Sequence, residues 1–153
     1  MPDALGTNDL APDFELIADD GSTVRLRDLR GSKVVLFFYP RAGTAGCTTQ
    51  ACEFRDRCED FQTGGAVVLG VSPDRIGAVR NFREKHGLTF RLLADEDHRV
   101  AELYGVWKEK SMYGKKYWGV ERTTYVLDEE GRVSHIFQRV KPKGHAAEVL
   151  ATL

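Results

Sequence analysis

The sequence predicts an α/β fold, with a central mixed sheet flanked by helices. Three observations carry this. Residues 33–39 and 66–71 are nearly continuous apolar, β-prone runs, as expected of strands covered on both faces. Apolar residues then recur at helical spacing, at Cys47, Ala51, Phe54, Cys58 and Phe61 and again at Ile76, Val79 and Phe82. Residues 123–127 and 132–137 read as strands joined across residues 128–131, which adds a late antiparallel ribbon to the alternation. Right-handed crossovers then put helices on both faces of the sheet, while the pattern leaves the strand order open.

The elements follow in order. Residues 13–17 and 23–26 flank Asp20-Gly21 and predict a short hairpin leading to a turn at 28–31. Pro40 ends the strand begun at Lys33, and after the loop 41–46 a helix begins near Cys47 and continues to Phe61. Ser72-Pro73-Asp74 supplies helix-start residues before Ile76, and Gly87 stops that helix. A short strand at 92–94 precedes a short helix capped by Asp97 and ending at Gly105. Ala146, Val149, Leu150 and Leu153 mark the apolar stripe of a terminal helix.

With 153 residues, no internal repeat and no long Pro/Gly-rich linker, the chain is expected to form one domain over 1–153, large enough to need no disulfide staple or structural metal. Lys and Arg total 22 against 23 Asp and Glu, so no global field recruits nucleic acid or an anionic membrane. The N-terminus lacks a basic stretch followed by an apolar one, and the longest dense apolar run, 34–39, is far too short to span a bilayer. A cytoplasmic protein is the expectation. Three cysteines are few for a scaffold and odd in number, which leaves redox chemistry or inert burial as competing readings.

Cys47 is the focus of the first reading. It falls in the first turn of a helix that follows a buried strand, where unpaired amides and the positive helix end favour a thiolate. Thr44 is positioned to cap that end, Gly43 and Gly46 let backbone approach a ligand closely, and Pro40 covers one wall. The competing reading makes Cys47 a small apolar residue on the inward helix face.

The run from Tyr39 to Cys52, YPRAGTAGCTTQAC, resembles the bacterioferritin-comigratory-protein (PrxQ-like) peroxiredoxins. The similarity extends through Ala11-Pro12-Asp13-Phe14, Phe54-Arg55-Asp56, Val71-Ser72-Pro73-Asp74 and Arg122-Thr123-Thr124. The sequence departs from the family at Ala45 and Arg91, where proline is common. The resemblance implies a thioredoxin-like fold and a thiol peroxidase in which Cys47 attacks the peroxide. It makes Pro40, Thr44 and Arg122 the companion residues and Cys52 the resolving cysteine of an intramolecular disulfide. It further implies hydrogen peroxide and organic hydroperoxides as substrates, a thioredoxin-type protein as reductant, a monomeric state, and no metal or organic cofactor. Without the resemblance, Arg122 reads as a surface ion-pair residue.

Other signals carry less. Residues 107–118 interleave Lys108, Lys110, Lys115 and Lys116 with tyrosine and tryptophan, superficially a nucleic-acid surface, but the stretch is short and reads as a solvated loop near the active-site rim. His86, His98, His135 and His145 lack metal-site spacing and read as surface or packing residues, and the gaps between the cysteines are not those of a zinc knuckle. Cys58 shares a helical face with Ala51, Phe54 and Phe61 and is expected to be a buried packing thiol. Two alternatives stand beside the peroxidase. A disulfide oxidoreductase of the same fold would be expected to carry a Cys-x-x-Cys pair that is absent here, and a non-enzymatic client-binding module would show no cysteine-dependent turnover.

Overall fold

The computed structural model describes residues 5–153. Residues 1–4, part of the N-terminal stretch read as lacking a leader, lie outside the described residues. The chain opens with an antiparallel hairpin of β1 (Glu15–Ala18) and β2 (Thr23–Arg25), followed by a 3₁₀ turn at Leu26–Leu29 and by β3 (Lys33–Phe38). Two helices, α1 (Ala45–Asp56) and α2 (Cys58–Thr63), lead to β4 (Ala66–Ser72). Next come α3 (Ile76–His86), β5 (Arg91–Ala94) and α4 (Arg99–Leu103). The ribbon β6 (Trp107–Met112) and β7 (Lys115–Val120) precedes β8 (Thr123–Leu127), β9 (Val133–Phe137) and α5 (His145–Leu150).

Seven strands form one mixed sheet in the order β2-β1-β5-β4-β3-β8-β9, and β6 and β7 form a separate two-stranded sheet. β3 lies parallel to β4 and antiparallel to β8, so the strand before Cys47 and the strand after Arg122 run side by side. This is the thioredoxin-like arrangement of a central sheet with flanking helices. Side chains alternate along β3: Val34, Leu36 and Phe38 enter the core layer shared with Tyr104 and Tyr125, while Val35, Phe37 and Tyr39 enter the layer of α1, α2, α3 and α5. Gly70 on β4 makes room for the second layer, since a Cβ there would lie 2.7 Å from Phe37 and 2.9 Å from Leu92.

The structure corrects several expectations. The helix predicted from Cys47 to Phe61 breaks at Arg57, whose backbone leaves the helical region at φ −110° and ψ 13°. The break directs α2 along β4, while the Phe54 and Phe61 rings still meet at 5.5 Å. Cys58 therefore opens the second helix and is only half-buried, outside both core clusters, rather than packed inside with Phe54. Residues 107–118 form a ribbon, not a loop. Tyr113 and Gly114 supply its tight turn at φ 53° and 78°, and the strands lack the apolar alternation that signals a half-buried strand. The cap of α4 is Asp95 rather than Asp97: its two buried oxygens accept the amides of Val100 at 3.1 Å and Ala101 at 2.8 Å. Asp97 reaches only the Arg99 amide, at 3.3 Å. Burial pushes the Asp95 carboxyl above its ordinary range, against the opposing pull of those amide bonds. Gly87, by contrast, ends α3 in the left-handed conformation expected of it, at φ 57°.

Candidate active site

The site forms where β3 ends. Beyond Tyr39 and the half-buried Pro40, the chain turns through residues 41–44 into α1. Asp74, just past the neighbouring end of β4, clamps that turn by accepting the Ala42 amide at 2.7 Å and the Ser72 hydroxyl at 2.8 Å. Gly43 takes φ 85°, a left-handed conformation that L side chains rarely adopt. Thr44 occupies the N-cap position, but its hydroxyl does not cap the helix as expected; it donates to the Arg41 carbonyl at 2.9 Å and closes the turn instead. The first intrahelical acceptor is the Thr44 carbonyl, taken by the Thr48 amide, so the amides of residues 45–47 have no partner within the helix and no side-chain cap.

Cys47 sits in this first turn with only 1% of its surface exposed. Antiparallel pairing of β3 with β8 sets Phe38 opposite Thr123, which brings Arg122 beside a cysteine 75 residues earlier in the chain. One Arg122 Nη donates to the Cys47 Sγ at 3.3 Å and the other to the Gln50 Oε1 at 2.6 Å. Gln50 is wholly buried one helical turn after Cys47, so the guanidinium is held in a fork between two groups of α1. The backbone confines it further. The Val140 amide donates to the Arg122 carbonyl at 3.0 Å, and a Cβ at Gly46 would stand 3.2 Å from the Arg122 Nη2 and 3.4 Å from Pro142.

A fixed cation and a buried sulfur in direct contact form a charge-complementary pair for a thiolate and for negative charge developing next to it. The site's own carboxylates are occupied elsewhere. Glu121 accepts from Lys108 at 2.7 Å and Arg139 at 3.3 Å, and the Lys108 bond holds its carboxyl below the usual carboxylate range. Glu53 accepts the Gly144 amide at 2.9 Å and ties α1 to the loop before α5. Cys52 lies five residues beyond Cys47 in the same regular helix, half-buried and unbonded to either other cysteine.

The structure thus joins Cys47 and Arg122 directly, with Thr44 shaping the entry turn, Pro40 at its start and Cys52 apart from the sulfur. Gln50 is the contact missed from the sequence. His145, read only as a surface or packing histidine, proves buried: its Nε2 meets the Thr124 hydroxyl at 2.8 Å and its Nδ1 meets Glu148 at 3.2 Å. Its ring also stands edge-on to Phe54 of α1, with centroids 5.9 Å apart. Among the described residues, no group of three or more His, Cys, Asp and Glu side chains is arranged to hold a metal ion.

Comparisons with known proteins converge on the same chemistry. The AhpC/TSA family model matches residues 7–136. The chain is 50% identical to a Bacillus subtilis protein described as peroxiredoxin Bcp, over 94% of this chain and 91% of that one. It is 44% identical to the Escherichia coli peroxiredoxin Bcp, over 95% and 94% of the two chains. Among solved structures, the bacterioferritin comigratory protein of Xanthomonas campestris superposes with a TM-score of 0.89 at 38% identity, covering 97% of this chain and 94% of that one. A mutant of Xylella fastidiosa PrxQ gives 0.92 at 32% identity, with 99% and 96% covered.

Proposed function

The chain belongs to the AhpC/TSA family, within its Bcp/PrxQ-like peroxiredoxins, and is a thiol peroxidase; on that premise we propose that Cys47 is the attacking thiol and Cys52 its resolving partner within the same chain. The observation that carries the reading is the 3.3 Å contact from Arg122 to a sulfur buried at the start of α1. The Cys47 thiolate attacks the nearer peroxide oxygen, an S–O bond forms as the O–O bond breaks, and the leaving oxygen departs with the bonding pair and takes up a proton as water or alcohol. Arg122 and the free amides of the first turn face the charge that develops on those oxygens. Thr44 fixes the turn, and Pro40 shields its mouth. Cys47 is left as a sulfenic acid.

In the second half of the cycle the Cys52 thiolate attacks the Cys47 sulfur, and the hydroxyl leaves as water once protonated. The product is an intramolecular disulfide, returned to two thiols by a thioredoxin-type protein. The Xanthomonas campestris relative is described as having alkyl peroxide reduction activity, which supports organic hydroperoxides beside hydrogen peroxide as substrates here. We read the 153 residues as one cytoplasmic, monomeric domain that needs no metal or organic cofactor and binds no nucleic acid or membrane. Among the described residues, no helix is long and apolar enough to cross a membrane. The decisive experiment is Cys47→Ser, with peroxide consumption followed in the presence of thioredoxin and its reductase. A hydroxyl is far less nucleophilic than a thiolate near neutral pH, so turnover is expected to disappear. Full turnover by the folded variant would reject Cys47.

A further inference from the structure

The protein has a formal net charge of −1, yet the unpaired charge around its cysteine is positive. Arg41 lies exposed in the turn before α1, and Lys141 and Lys143 lie exposed on either side of Pro142, which stands with Arg122 against Gly46. The β6–β7 ribbon adds to this. Its register puts Lys108, Lys110, Met112, Lys115 and Tyr117 on one face. Lys110 is half-buried there, and Lys108 of the same face bonds Glu121, the neighbour of Arg122, at 2.7 Å, which ties this face to the site. Arg41, Lys110, Lys115, Lys141 and Lys143 make no ion pair among the described residues. The nearby carboxylates of Glu121, Glu53 and Asp74 are already engaged.

The ribbon itself calls for a covering partner. It is a separate two-stranded sheet anchored to the core by Trp107 and Val120, while its Met112 is 56% exposed and its Tyr117 42% exposed, apolar surface that a docked partner would cover. A second copy of the chain fits poorly, because a two-fold contact sets this patch against itself and so lysine against lysine. An anionic partner fits, and the catalytic cycle proposed above requires one protein to reach this spot.

Resting on that proposed cycle, we infer that Arg41, the loop at 141–143 and the Lys110 and Lys115 face of the ribbon form the docking rim for the protein reductant. The matching reductant carries carboxylates around its own dithiol, with an apolar strip to meet Met112 and Tyr117. Once docked, a reductant thiolate attacks one sulfur of the Cys47–Cys52 disulfide and forms a mixed disulfide. The reductant's second thiol then breaks that bond. The reductant loses two electrons and two protons in forming its disulfide, and Cys47 and Cys52 regain both as thiols.

The test starts from full-length protein oxidised with one equivalent of peroxide, its Cys47–Cys52 disulfide verified by peptide mapping. Reduction is timed with a thioredoxin of acidic surface and, separately, with dithiothreitol. Charge steering of this kind changes association rates by about 10- to 1000-fold and weakens with salt. The triple variant Lys115→Glu, Lys141→Glu, Lys143→Glu is therefore expected to react at least about tenfold more slowly with thioredoxin and to lose the salt dependence. Its rates with dithiothreitol and in the first peroxide attack should stay within about twofold, since hydrogen peroxide is neutral and the attacking dithiothreitol thiolate carries one charge against the many of an acidic rim. A thioredoxin whose rim carboxylates are replaced by lysine should recover the rate on the triple variant. An unchanged thioredoxin rate, an equal loss with dithiothreitol, or a loss that tracks a change in the oxidised protein's mass would overturn the assignment, the last by pointing to a second copy. Absence of the starting disulfide would overturn the parent reading and this one with it, whereas its presence with an unchanged thioredoxin rate overturns the docking rim alone.

Discussion

Gln50 has no reactive group, yet it holds the far side of the Arg122 guanidinium by a 2.6 Å bond while the near side meets Cys47. Replacing it with leucine keeps the apolar packing of α1 but leaves an arginine N–H without its acceptor, so the fork can swing away from the sulfur. Removing a donor that itself touches a developing charge costs about 100- to 1000-fold; a residue acting through that donor should cost less, about tenfold in the second-order rate of peroxide attack. Gln50→Glu keeps an acceptor and the packing but sets a carboxylate against Arg122 and near the sulfur, so it too should slow the attack, a loss that packing alone would not produce. Gly46→Ala tests the same fork from the other side. Its new Cβ would crowd the flexible end of Arg122 at 3.2 Å, so peroxide attack should slow while the melting temperature changes little. Stopped-flow oxidation of Cys47 reads all three variants. The sequence contained a clue to Gln50. It sits on the Cys47, Ala51 and Phe54 stripe, and a polar residue on a buried stripe needs a partner. Which partner was not legible, because Arg122 lies 72 residues away, just before β8, and its place rested on resemblance to a family rather than on any local pattern.

At the level of elements, legibility followed hydrophobic periodicity. The buried strands β3, β4 and β8 and the helix α3 stood out because their apolar residues face a core. The β6–β7 ribbon did not, because lysines and aromatics occupy both of its faces and most remain exposed. The break at Arg57 was equally silent, since Phe54 and Phe61 keep a helical spacing on either side of it. α5 carries a pH-dependent contribution of its own. Burial pushes His145 below its ordinary range, with Glu148 opposing the shift, so the folded chain holds this ring neutral at pH values where the unfolded chain protonates it. A depressed histidine value means that the unfolded state binds more protons as pH falls. The contribution is fully present above an unfolded value of about 6.5 and is lost as pH drops from there toward the folded value. Thermal melts at pH 7.5 and 5.5 should therefore show a larger drop for the native chain than for His145→Gln, which removes the titrating group. Equal drops would assign the acid sensitivity to other groups.

For the molecule as a whole, the central question is how a rigid sheet supports a cysteine that, in the proposed cycle, meets a partner on its own helix. Five residues along a regular helix give about 7.5 Å of rise and place the two Cα atoms roughly 8.6 Å apart on largely opposed faces. Disulfides rarely span more than about 7 Å. Cys47 and Cys52 both lie inside the regular α1, so closing the bond requires its first turns to unwind, which would break the Arg122 contacts to Cys47 and Gln50. The weak points are visible at the N-terminal end. No side chain caps the helix, Thr44, Ala45 and Thr49 are exposed, and the glycines at 43 and 46 precede the cysteine. The other end is anchored, with Ala51 and Phe54 wholly buried and Phe54 packed 4.8 Å from Phe37 of β3. Unwinding should therefore stop near Ala51, leaving the sheet and the C-terminal half of α1 in place. Amide exchange after one equivalent of peroxide is expected to rise sharply across residues 44–51, to change little across β3, β4 and β8, and to return to its starting value on reduction. Cys52→Ser separates the chemistry from the motion. Its first peroxide attack should proceed at nearly the native rate, but with no internal disulfide to draw the helix open, exchange should stay low, thioredoxin-linked turnover should fall sharply, and Cys47 should pass on to sulfinic acid. A disulfide recovered by peptide mapping with no rise in exchange across residues 44–51 would rule out the unwinding.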